Sequence, residues 1–426
     1  MNIDKKRESW GTKIGIILAV AGSAVGLGNF LRFPVQAVKN GGGVFMIPYI
    51  ISFLLLGLPL MWIEWTAGRF GGGFGHGTAP GIFNTMWQKN KFIKYFGVIG
   101  IFGPLVIFMY YTYIESWLLG YTIFSLTSKF SLITTAEQMK EFLVWYRESY
   151  FSYLFFILTF AINVIVVFFG IKKGIEKFCN WAMPLLFILA IFLMIRVLSL
   201  GSINPEFPQN NPIKGLEFLW KPDFSKLLDP KVWLAACGQI FFTLSVGIGV
   251  ILTYASYLNK NDDVILSGLT SAVTNEFVEV VLGASIVIPA AFSFLGPQRA
   301  VEIASSSAFD LGFVTIPLIF KQISFGTFFA FCWFLLLFLA GITSSVSLAQ
   351  PAITFLEDEF DIPKKDAVLS YAVITFILCQ PSIFLLKHGV VDELDFWGGT
   401  FCLVLFGCVE AILFSWIFGI DKAWDE

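Results

Sequence analysis

The sequence predicts an all-α membrane protein with about ten transmembrane helices, arranged as a 5+5 inverted repeat in which helices 1 and 6 are broken. Three observations predict it. The chain is 57% hydrophobic and only 14% charged, whereas a soluble domain carries about 25% charged residues. Apolar runs of about 20 residues, the length that crosses hydrocarbon, recur about ten times along it. Two of those runs, five spans apart, carry paired glycines where a helix would be expected to continue.

The runs lie near 13–36, 43–66, 97–126, 150–169, 178–200, 232–257, 264–294, 325–356, 367–386 and 397–418. Several are long enough to tilt. The substantial linkers are 129–148, 201–231 with Pro205, Pro208, Pro212 and Pro222, and the polar excursion 296–323. Lys5, Lys6 and Arg7 precede the first span, Lys89, Lys91 and Lys94 follow the second, and Lys172, Lys173 and Lys177 follow the fourth. With alternating spans these clusters share one side, so the positive-inside tendency puts both termini in the cytoplasm of a multi-pass inner (plasma) membrane protein. Met1–Trp10 is polar and basic, and no small-residue cleavage site follows, so no removable signal peptide is expected.

A net charge of -2 offers no basic surface for nucleic acid. The six cysteines, Cys179, Cys237, Cys332, Cys379, Cys402 and Cys408, are scattered in apolar stretches without metal-site spacing. No nucleophile, metal cluster or phosphate loop points to an enzyme, and Gly71-Gly72-Gly73 follows a membrane span rather than a strand. His76 and His388 fall in loops and receive no role.

The first damaged span reads Gly22-Ser23-Ala24-Val25-Gly26-Leu27-Gly28 and the sixth Thr243-Leu244-Ser245-Val246-Gly247-Ile248-Gly249. Each glycine costs about 1 kcal/mol of helix propensity against alanine. Because five is odd, the two five-helix units, 1–200 and 201–426 of one transmembrane domain, would run in opposite directions, with a binding site at the breaks. Close packing of small residues is the competing reading; two such stretches in corresponding places beside polar residues favour unwinding. Unwinding exposes backbone groups in hydrocarbon, at several kcal/mol each if unpaired. Freed carbonyls can hold a hard cation or an ammonium, and freed N–H groups a carboxylate. An α-amino acid with Na⁺ meets both needs. Asn29, Thr243, Ser245, Asn275 and Thr343-Ser344-Ser345 add oxygen ligands within reach of the breaks.

Trp10-Gly11-Thr12, Gly26-Leu27-Gly28-Asn29-Phe30-Leu31-Arg32-Phe33-Pro34 and Asn40-Gly41-Gly42-Gly43 resemble the signature of the neurotransmitter:sodium symporter family. The likeness is strongest to its bacterial leucine-transporting branch. It continues through Tyr110-Tyr111, Phe241-Phe242-Thr243-Leu244-Ser245, Ser267-Gly268-Leu269-Thr270 and Asp395-Phe396-Trp397, over essentially the whole chain. The resemblance implies two sodium sites. One would use the Ala24 and Thr243 carbonyls, the side chains of Asn29, Thr243 and Asn275, and the substrate carboxylate. The other would use the carbonyls of Gly22, Val25 and Ala340 with the hydroxyls of Thr343 and Ser344. It implies a substrate carboxylate on the Leu27 and Gly28 amides and the Tyr111 hydroxyl. The ammonium would meet carbonyls of Ala24, Phe242 and Thr243 and the Ser245 hydroxyl. The side-chain pocket would be Ile107, Tyr111, Phe242, Ser245, Ile248, Ser344 and Leu348. Where members that carry monoamines place an aspartate, this chain has Gly26, so a small aliphatic or neutral amino acid is the expected substrate.

By the same resemblance Arg32 and Asp395 form an outer gate. Arg7 and Asp358 form an inner one, near Trp10, Ser256 and Tyr257. Glu279 stands where chloride-independent members place a carboxylate in lieu of chloride, implying no chloride requirement. Glu64, Glu115, Glu276, Glu279 and Glu410 all fall within spans, where an ionisable group is expensive. The family usually has twelve spans; ten complete both repeats, and homodimerisation is left open. The alternatives to a sodium symporter are a proton-coupled carrier of the same fold and a non-transporting amino-acid receptor. Flux in sodium-free buffer and accumulation in vesicles separate them.

Overall fold

In a computed structural model of the chain, the described residues are all but 1–7, 128, 131–132, 203–206, 209 and 307–308. They contain helices and connecting turns and no strand. Eight helices are long and apolar enough to cross a membrane: Gly43–Gly73, Ile93–Leu126, Tyr150–Phe168, Ile171–Leu198, Val264–Ile303, Gly326–Phe360, Lys364–Phe384 and Val390–Trp424. The pair Lys13–Ala24 and Gly28–Lys39, bent by 47°, makes a ninth. The remaining expected span is Pro230–Thr243 followed by Val250–Ala255, with 14 and 6 residues. Each half is too short to cross the bilayer alone.

The helices overrun the expected apolar runs. The second continues to Gly73, the third already begins at Ile93 and the fifth at Ile171, while the seventh reaches Ile303 through a kink at Gly296. Hydropathy marks where lipid ends, whereas helical hydrogen bonding carries on into the headgroup layer. Part of each long linker is also helical: Ala136–Glu148, Pro212–Trp220, Asp310–Thr315 and Ile316–Lys321. The first of these has a full capping box, in which Thr135 accepts from the Gln138 N–H and Gln138 answers to the Thr135 N–H.

The third and eighth spans pack along their length, and the fourth and ninth close behind them. The first, second, sixth and seventh spans pack together as a bundle, and its two broken helices meet the eighth span. The first half-helix is anchored at its start. Thr12 caps it by accepting from the Gly15 N–H at 2.9 Å, and the Glu176 carboxylate of the fifth span accepts from the Gly11 N–H at 2.6 Å and the Thr12 hydroxyl at 2.9 Å.

The sixth-span break needs glycine twice. Gly247 and Gly249 have φ of 76° and 80°, the left-handed region. A Cβ on Gly247 would overlap the Leu403 carbonyl of the tenth span, and one on Gly249 the Gly100 carbonyl of the third. Gly247→Val therefore combines a left-handed β-branched residue with a backbone clash. It is expected to cost more than about 2 kcal/mol, read as a melting temperature several degrees lower in detergent. An unchanged melting temperature would show that the break is not held there.

Candidate functional site

Unwinding at Val25–Leu27 and at 244–249 leaves backbone polar groups inside the membrane, and nearby side chains meet several of them. Asn29 accepts from the Gly26 N–H at 2.8 Å, and the Tyr111 hydroxyl accepts from the Leu27 N–H at 3.1 Å. The Glu64 carboxylate accepts from the Gly247 N–H at 2.5 Å. Ser245 in the second break and Ser344 on the eighth span both donate to the Ser23 carbonyl at 3.1 Å. The two breaks and the eighth span are thus knitted at one oxygen atom.

Between the breaks lies a cavity. It is lined by the expected Ala24, Gly28, Ile107, Tyr111, Phe242, Thr243, Ser245, Ile248, Ser344 and Leu348, together with Asn29. Leu27 lines instead the cavity above it. Ser23 and Leu403, which the sequence pattern does not assign to the pocket, also line the site, as does Gly26, which stands where monoamine carriers place an aspartate. Gly26 is where a Cβ would come within 2.8 Å of the Ser344 hydroxyl and 2.9 Å of the Tyr111 hydroxyl. Any side chain there would fill the cavity. The lining combines backbone and hydroxyl groups with the apolar side chains of Ile107, Ile248, Leu348 and Leu403, and includes no charged residue.

Two oxygen clusters flank it. In the first, the Asn29 amide donates to Asn275 Oδ1 at 2.8 Å and to Thr243 Oγ1 at 3.3 Å, and Asn275 donates to Thr243 Oγ1 at 3.0 Å. The Thr243 hydroxyl and the Gln239 amide both donate to the Glu279 carboxylate, which is fully buried. In the second, Ser344 donates to the carbonyls of Gly22 at 3.3 Å and Val25 at 3.5 Å, and Thr343 to that of Ala340 at 3.1 Å. These donor sets are uncharged oxygens within a buried shell, apart from the neighbouring Glu279. That chemistry fits a hard monovalent cation, which such oxygens would hold by replacing its hydration shell.

The two ends of the site differ. On one side, Arg32 stacks over the Phe242 ring at 4.0 Å, and the Tyr110 hydroxyl donates to Asp395 at 2.6 Å. Arg32 and Asp395 line the same cavity, yet do not pair with each other. On the other side the Trp10 indole donates to the Tyr254 carbonyl at 2.9 Å and packs edge-on against that ring. Tyr257 and Thr354 share a hydrogen bond of 2.9 Å, and Gln350 donates to both. Asp358 accepts from the Gly77 N–H at 2.7 Å; Arg7 lies outside the described residues. Of the other buried acids, Glu276 accepts from Tyr49 at 2.7 Å and Glu115 from Asn163 at 3.0 Å, each away from the cavity lining.

Comparison with known proteins places this geometry. The sequence pattern of the sodium:neurotransmitter symporter family matches residues 7–141 and 153–426. The chain belongs to that family. An uncharacterized sodium-dependent transporter of Methanocaldococcus jannaschii is 31% identical over 98% of this chain and 83% of its own length. The sodium-dependent dopamine transporter of Caenorhabditis elegans is 25% identical over 98% of this chain and 75% of its own. Among solved structures, MhsT in complex with L-phenylalanine superposes with a TM-score of 0.83 at 30% identity, covering 98% of this chain and 92% of that one. This member of the sodium:neurotransmitter symporter family is thus a multi-pass membrane transporter that uses sodium, and not an enzyme.

Within that family the oxygen clusters give a direct test. Asn29→Ala removes the amide that joins the first break to Thr243 and Asn275, and Thr343→Ala removes the hydroxyl that donates to the Ala340 carbonyl. Each is expected to raise the sodium concentration for half-maximal thermal stabilisation roughly tenfold, for about 1–2 kcal/mol of lost ligation. An unchanged sodium midpoint in both variants would remove these residues from the ion sites.

Proposed function

We propose that this transporter is a sodium-coupled symporter of a small aliphatic or neutral amino acid, working by alternating access. The observation that carries this reading is the cavity between the two breaks, whose lining combines hydrogen-bonding backbone with uncharged apolar side chains. A zwitterion matches the polar groups, its carboxylate at the Gly28 amide and the Tyr111 hydroxyl and its ammonium at the carbonyls beside Ala24 and Thr243. A charged side chain would find no partner among the apolar side chains.

Two sodium ions are assigned. One sits with Asn29, Thr243 and Asn275 and also touches the substrate carboxylate. The other sits among the carbonyls of Gly22, Val25 and Ala340 and the hydroxyls of Thr343 and Ser344. Because ion and substrate share an oxygen atom at the first site, each strengthens the other's binding by the same factor. Glu279 places a carboxylate beside the first ion where chloride would otherwise sit, so no chloride is required. The side sealed by Trp10 and Tyr254 is the cytoplasmic one, with both termini there and the chain in the inner membrane. The unpaired Arg32 and Asp395 then mark an outer gate that has not closed. Units 1–200 and 201–426 act as the two inverted repeats, and the bundle rocks against the third, fourth, eighth and ninth spans.

The test is sodium-dependent thermal stabilisation of purified protein against the twenty amino acids, since a ligand that binds only the folded state raises the melting temperature. Small neutral amino acids are expected to stabilise in sodium and not in potassium, equally well in chloride and gluconate. Reconstituted vesicles are expected to accumulate the same ligands down a sodium gradient. Stabilisation without accumulation would favour a receptor, and unchanged uptake in sodium-free buffer a proton-coupled carrier.

A further inference from the structure

The tenth span holds a residue that neither break explains. Leu403 lines the cavity, as do the apolar Ile107 of the third span, Ile248 of the sixth and Leu348 of the eighth, and is 3% exposed. Its position follows from two close approaches of backbone. At Gly247 the second break lies directly on the Leu403 carbonyl, and Ile248, the next residue, lines the same cavity as Leu403. Higher on the same span, Gly398 lets it approach the third, where a Cβ would come within 3.2 Å of Ile107 Cγ1. Wedged between the third and sixth spans in this way, the tenth forms a fourth wall.

We propose that Leu403 is a specificity-determining residue, whose side chain closes the apolar part of the cavity and limits the size of the substrate side chain. The inference rests on the amino-acid reading above. Ile107, Ile248 and Leu348 are held on spans that also carry or adjoin backbone and hydroxyl groups of the polar lining, so changing them disturbs both kinds of contact. Leu403 touches the cavity from outside those elements, and its size can change while the polar lining stays as it is. Leu403 also lies eight residues beyond Asp395 on one continuous helix, just past its π-helical stretch Asp395–Cys402. A substrate too long for the apolar part therefore presses on the helix that carries the outer-gate carboxylate.

The experiment compares wild type, Leu403→Ala and Leu403→Phe by thermal stabilisation in sodium with glycine, alanine, valine, leucine, methionine and phenylalanine. Leu403→Ala is expected to improve phenylalanine over alanine by about tenfold or more in apparent affinity, the scale of one to a few methylenes in an apolar pocket. Leu403→Phe is expected to weaken leucine and methionine by a similar factor while glycine and alanine are kept. If Leu403→Ala shows no cooperative melt without ligand, Leu403→Val takes its place with a smaller shift in the same direction. A wild type that answers to no amino acid overturns the substrate reading itself. A responsive wild type whose order of preference is unchanged in both variants overturns only the assignment of Leu403.

Discussion

Backbone groups freed inside hydrocarbon are the constraint on which this structure turns. A continuous helix needs no help in lipid, but two interrupted ones must find partners for what they expose. The chain answers with side chains from the broken spans themselves and from other spans. Asn29 and Tyr111 take the Gly26 and Leu27 N–H groups, Glu64 takes that of Gly247, and Ser344 reaches the carbonyls of Gly22, Ser23 and Val25. The cavity lies among these groups, and under the proposed function a ligand there would complete the set. Binding and helix integrity are therefore one problem in this protein.

The partners are themselves held by packing. The third and eighth spans are buried along much of their length, and Tyr121 anchors an aromatic cluster with Phe124, Phe130, Phe142, Phe313 and Phe334 that ties them to the outer helices. Rings that interlock edge-to-face resist sliding. The layer behind the breaks is thus held by ring packing, and it presents the Tyr111 and Ser344 hydroxyls to them.

Much of this was legible in the sequence, for reasons that differ by element. The spans showed because lipid selects apolar runs, and the breaks showed because paired glycine is costly in a helix. The cavity residues Ile107, Tyr111, Phe242 and Leu348 came from the resemblance, since nothing in their own stretches marks them. Ser23 was passed over beside Gly22, and Gly26 was read for its missing acid rather than for the space it leaves. Leu403 could not be seen at all, because it enters the site through contacts between its own backbone and Gly247, 156 positions away. The helix Ala136–Glu148 was read as linker although Thr135 and Gln138 carry a capping-box signal, since attention to hydropathy alone passes over amphipathic helices at the surface.

The carboxylate of Glu176 grips the first half-helix at its tip, through the Gly11 amide and the Thr12 hydroxyl, far along the chain from either ion cluster. Any movement that carries this half-helix away from the fifth span must first break both of those charge-assisted bonds, whatever occupies the cavity. In the proposed cycle, the groups that would hold the ligand and the groups of this grip are separate. Evolution could retune turnover at the membrane boundary without altering what the protein recognises at its centre.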